Sequence, residues 1–86
     1  MKYRAEIDIM PLKALLDPQG KAITASMKNL DLTEISNIRV GKHITLEVEA
    51  ENHNNASELV DKACRKLLAN PIMEYYEFKV FEEEDI

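Results

Sequence analysis

The stretch KYRAEIDIM, Lys2 to Met10, decides the fold. Polar Lys2, Arg4, Glu6 and Asp8 alternate with Tyr3, Ala5, Ile7 and Ile9, a period of two that requires a strand with one buried face, ending near Pro11. The rest of the chain must supply partner strands and a cover for that face. Asp17 before Pro18 is a helix start: the carboxylate can accept from first-turn amides, and proline suits the first helical position. A helix is expected from Pro18 to about Leu30, with Ile23, Met27 and Leu30 on one stripe and Lys21 on a solvent face. Gly20 is not required by helix-start chemistry, and marks a point where another chain's backbone could come close.

Beyond this helix, Ile35–Val40 and His43–Ala50 read as two strands joined at Gly41 and Lys42. Two loop parities are open. A two-residue loop pairs Val40 with His43 and puts Arg39 on the face of Ile44, whereas a three-residue loop puts Ile38 and Val40 on that face. Asn55 with Glu58 forms a capping box for a second helix, whose stripe is Leu59, Val60, Ala63, Cys64, Leu67 and Leu68. Asn70 and Pro71 end it. The last strand, Ile72–Phe81, is apolar on both sides: Tyr76, Phe78 and Val80 on one face, Met73, Tyr75 and Phe81 on the other. The expected fold class is α+β, in the order β-α-β-β-α-β, an antiparallel sheet with two helices packed on one face.

A chain of 86 residues forms one small domain over 1–86 and buries roughly 60 % of the surface that its unfolded form exposes, so exposed apolar surface calls for a partner. The net charge of −5, with the run Glu82–Asp85, opposes nucleic-acid binding, which depends on lysine and arginine displacing counterions. Cys64 is the single cysteine, so no intrachain disulfide forms. The first ten residues are too charged for a secretory signal and no apolar run is long enough for a membrane span; a cytoplasmic protein is expected. His43, His53 and Cys64 lack the short spacing of a zinc motif, and Cys64 reads as a small core residue.

This topology carries unrelated functions, so the residues must decide. An acylphosphatase-like hydrolase needs a glycine-containing phosphate loop with an arginine after the first strand, and MPLKALL, residues 10–16, has neither. An RNA-recognition module needs stacking aromatics on its central strands, and residues 38–50 contain none. Of the nucleophiles Cys64, Ser26, Ser36 and Ser57, Cys64 lies on an apolar stripe with no histidine near it in sequence. No catalytic, cofactor-binding or metal-binding residue is assigned. The candidate site is an interface: Tyr75, Tyr76, Phe78 and Phe81 on the last strand, with Arg39 and Lys42 beside the expected turn. Lys62, Arg65 and Lys66 read as a solubilising surface paired with Asp61 and Glu58. An assembly subunit that is itself a dimer or larger fits these features; the alternative is a free-standing small-ligand-binding or regulatory domain.

Three segments in order, LDPQGKAI at 16–23, IRVGKHITLEVEA at 38–50 and KLLANPIMEYYEF at 66–78, carry a family resemblance. The chain resembles the small subunit of phosphoribosylformylglycinamidine synthase, the PurS family, over essentially its whole length. The resemblance implies a non-catalytic component of a three-part amidotransferase of purine biosynthesis. In that system a glutaminase subunit releases ammonia, and a large synthetase subunit uses ATP and magnesium to convert formylglycinamide ribonucleotide to the amidine. The small subunit is implied to be a dimeric bridge between them that assists ammonia transfer and binds no cofactor itself. Met73, the Tyr75–Tyr76 pair and the acidic tail Glu82–Asp85 depart from the family's pattern.

Overall fold

The computed structural model describes residues 1–13, 15 and 17–83. Leu16 of the LDPQGKAI segment, and Glu84 and Asp85 of the acidic run, lie outside the described residues. Strand β1, Lys2–Pro11, is the centre of a three-stranded antiparallel sheet in the order β2-β1-β3, with β2 at Lys42–Glu49 and β3 at Glu74–Glu82. Ile7 stands opposite Ile44 of β2 and Phe78 of β3. Register therefore places Tyr3, Ala5, Ile7 and Ile9 on one face with Ile44, Leu46 and Val48 and with Tyr76, Phe78 and Val80. All four β1 residues are buried, whereas their neighbours on the flanking strands are only half-buried.

Helix α2, His53–Ala63, covers that face and continues into a π-helical turn at Cys64–Leu68. Its Ala56, Val60 and Cys64 are fully enclosed, and Ala5, Ile7, Ile9, Val60, Cys64 and Ala69 form the core cluster. The cap is Asn52, whose side chain accepts from the Asn55 amide at 2.8 Å, so α2 begins earlier than a cap at Asn55 would give. Asn52, Asn54 and Asn55 are all cap-prone residues, and the polar run hides which one turns the chain. In the π turn the Ala69 amide bonds the Cys64 carbonyl at 2.9 Å, five residues back. The extra residue shifts the phase of the apolar stripe: Ala69 is buried, while Leu67 is 83 % exposed.

The α+β class, the antiparallel sheet and its two helices are as expected. Two details differ. Helix α1, Pro18–Asn29, buries only Gly20, and its hydrogen bonds beyond its own turns join it to residues 38–40 rather than to the strands. It has little packing against the strands, and the molecule measures 51 × 32 × 15 Å. Ile35–Val40 is not a strand, and neither loop parity arises, because β2 pairs with β1. Asn37 interrupts the extended run at φ 57°, a left-handed value asparagine tolerates. The amides that a hairpin would use go elsewhere: Ile38 N–H donates to Thr24 Oγ1 at 3.1 Å and Val40 N–H to Asp17 Oδ2 at 3.0 Å.

Candidate functional site

Asp17 organises the end of the molecule where α1 sits. Its Oδ1 accepts from Gly20 N–H at 3.0 Å, capping α1 as proline at the next position favours, and its Oδ2 accepts from Val40 N–H. These two amides, aided by the nearby Arg39 guanidinium, hold its carboxyl below the usual carboxylate range. Gly20 is where two backbones meet: a Cβ there would lie 2.2 Å from the Ile38 carbonyl oxygen. The close approach comes from the same chain, not another. Arg39 is committed inward, its guanidinium donating to the carbonyls of Pro11, Leu12 and Lys13 while Nε faces Asp17 Oδ2 at 3.6 Å.

Between α1 and residues 37–39 runs an open groove of about 1030 Å³. Leu15, Ala25 and Ile38 contribute apolar lining, and Lys13, Lys21 and Lys28 stand at its sides. All three lysines are exposed, and none has a carboxylate partner among the described residues. Sequence reading does not single out Lys13 or Lys28. The one signal was the spacing of Lys21 and Lys28, seven residues or two helical turns apart on one side of α1.

The sheet's other face has no covering layer among the described residues. It carries Arg4, Glu6 and Asp8 of β1, Thr45 and His43 of β2, and Tyr75, Lys79 and Phe81 of β3. Tyr75 and Phe81 are 40 % and 38 % exposed, and the Arg4 guanidinium lies 5.1 Å from the centre of the Phe81 ring. His43 Nδ1 meets Asp8 Oδ1 at 2.6 Å and its Nε2 is 3.7 Å from Glu6; the Asp8 hydrogen bond, followed by the charges of Asp8 and Glu6, raises the imidazole pKa above its usual value.

Tyr76 and Phe78, the other aromatics of β3, point to the face covered by α2. They stack with ring centres 6.3 Å apart, and the Tyr76 hydroxyl donates to Asp61 Oδ1 at 2.5 Å. Asp61 also accepts from Arg65 Nε at 2.8 Å, the pairing expected on α2. Lys42, at the start of β2, pairs with Glu74 at 3.6 Å. Of the six sequence-derived interface candidates, the structure puts Tyr75 and Phe81 on the open face at opposite ends of β3, Tyr76 and Phe78 on the face covered by α2, and turns Arg39 inward. Burial pushes the Cys64 thiol up, which keeps it protonated and unreactive. Among the described residues no three metal-ligating side chains cluster, and no helix is long and apolar enough to cross a membrane.

Comparison with known proteins follows this geometry closely. A curated PurS subunit of phosphoribosylformylglycinamidine synthase from Thermotoga maritima is 39 % identical over 77 residues, spanning 90 % of this chain and 94 % of the relative. One from Methanocaldococcus jannaschii is 35 % identical over 78 residues, spanning 91 % and 94 %. Among solved structures, Bacillus subtilis PurS superimposes with a TM-score of 0.84 at 31 % identity, covering 93 % of this chain and 99 % of that one. A chain in the structure of PurLQS from Thermotoga maritima does so with a TM-score of 0.84 at 37 % identity, covering 94 % and 99 %. The PurS family model, described as phosphoribosylformylglycinamidine (FGAM) synthase, matches residues 4–82. The chain therefore belongs to the PurS family, the small subunit of phosphoribosylformylglycinamidine synthase in purine biosynthesis.

Proposed function

We propose that this chain is a non-catalytic bridge that joins a glutaminase subunit to a large synthetase subunit in the cytoplasm, and that it associates with itself in doing so. The synthetase would use ATP and magnesium; this chain would bind neither. Its physical task is to hold two active sites in line and keep water from the path between them, so that ammonia is neither lost nor protonated in transit. The observation that carries the reading is the uncovered sheet face on which Tyr75 and Phe81 stand exposed among charged side chains, with no cluster of nucleophile, base and oxyanion donors among the described residues. The PurLQS structure supports it, since a chain of this fold occurs there in a larger assembly.

The test is co-purification with the glutaminase and synthetase subunits, with and without glutamine and ADP. The expected result is a complex of all three, with glutamine-dependent amidine formation that requires this chain. Full glutamine-dependent activity in its absence, with no association, would overturn the proposal.

A further inference from the structure

We infer that the groove between α1 and residues 37–39 is a docking surface for an acidic segment of a partner protein, one presenting carboxylates about 10 Å apart around an apolar side chain. The inference rests on the assembly reading above and adds the surface and the chemistry of the contact.

Three observations converge on it. Helix α1 has twelve residues and buries only Gly20 within the chain, and the side it turns to the groove includes exposed Ala25. A helix of that length is marginal in water unless an amphipathic face is covered, so α1 needs a partner. Charge supplies the second argument. In a chain of net charge −5, Lys13, Lys21 and Lys28 gather around one apolar-lined groove with no carboxylate partner among the described residues. Lysines so placed select a negatively charged occupant.

The third observation distinguishes a peptide from a small phosphate ligand. A phosphate site needs donors converging on one point. Here most polar groups of the groove are turned to the chain itself: the Asp17 carboxylate accepts from the Gly20 and Val40 amides, the Thr24 hydroxyl donates to the Gly20 carbonyl and accepts from Ile38, and the terminal nitrogens of the Arg39 guanidinium donate to carbonyls of residues 11–13. The exposed lysines offer separate charges rather than donors fixed on one point, with the backbones of Lys21 and Lys28 two turns, or about 10 Å, apart along the helix. Spaced carboxylates with an apolar residue between them, seated on Ala25 and Ile38, match the pattern.

The test uses the full chain carrying Lys21→Glu and Lys28→Glu, with a control of equal charge change, Lys62→Glu and Lys66→Glu on α2. Thermal melts and circular dichroism establish that both fold. Affinity for the synthetase and glutaminase subunits is measured by sedimentation at about 0.05 M and 0.3 M salt, where the screening lengths differ more than twofold. The groove variant is expected to lose at least tenfold in affinity for one subunit and most of its salt dependence; the control should match the wild type. Wild-type affinity in the groove variant, or equal loss in the control, overturns the inference while leaving the assembly reading intact. A wild-type chain that binds neither subunit overturns both. Inorganic phosphate or ADP shifting the α1 amide resonances saturably in the wild type alone, with subunit affinity unchanged in the groove variant, reassigns the groove to a small anion and overturns it equally.

Discussion

At the scale of single residues, Asp17 and Gly20 show how much meaning can hide in a short motif. The Asp17–Pro18 helix start is legible because capping is local chemistry between neighbours in sequence. The same carboxylate's second partner, Val40, lies 23 residues away, and nothing local announces it. Gly20 is legible as a close approach but not as to what approaches, since the Ile38 carbonyl arrives through tertiary structure. His43 gives the residue-scale prediction. Its pKa is raised by Asp8 and Glu6, so the folded state favours the protonated ring. That stabilisation is fully present below the ordinary histidine value of about 6.5 and is lost as pH rises through the raised folded value. Melting temperatures of the wild type and His43→Gln, compared from about pH 5.5 to 8.5, should therefore show a wild-type advantage that shrinks with rising pH. An advantage that stays flat across this interval would show that the Asp8 contact does not matter to folding.

At the scale of elements, β1, α2 and β3 are readable because periods of two and 3.6 survive in the sequence. Ile35–Val40 carries a strand-like composition and still forms none, since Thr24 and Asp17 take the amides that a ladder would use. The end of α2 misleads for a different reason: one π turn rotates Leu67 out of a stripe it would occupy in a regular helix. Strand β3 is where two faces have separable roles. Phe78→Lys sets a charge against the core wall and should destabilise the fold by about 3 kcal/mol, measured by urea denaturation. Tyr75→Lys and Phe81→Glu lie on the uncovered face and should leave stability within about 0.5 kcal/mol, while shifting the oligomer towards smaller species in sedimentation. Unchanged oligomer size in both would remove that face as a contact surface.

At the scale of the whole molecule, the sheet and α2 form one packed unit, and α1 is tied to residues 38–40 through Asp17, Gly20 and Thr24. The α+β class was legible from the alternation of strands and helices, but strand order and the displacement of α1 were not. Both depend on which distant backbones satisfy one another, as does the convergence of Lys13 and Lys21. Hydrogen exchange should register the division: in the isolated chain, α1 amides exchange well before those of Ala5, Ile7 and Ile9, and they slow when the partner subunits are added. Equal protection of α1 and β1 in the isolated chain would contradict it. The three-stranded sheet also leaves both β2 and β3 as edges. A newly made chain must pass from ribosome to complex with those two rows of backbone groups unpaired, each a template for runaway sheet growth. Glu47 and Glu49 on β2 and Glu77 and Lys79 on β3 interrupt the apolar residues at every second position, so a stray copy adding at an arbitrary register would crowd charge against charge. The alternation that places a core on one side thus also guards the orphan subunit against aggregation.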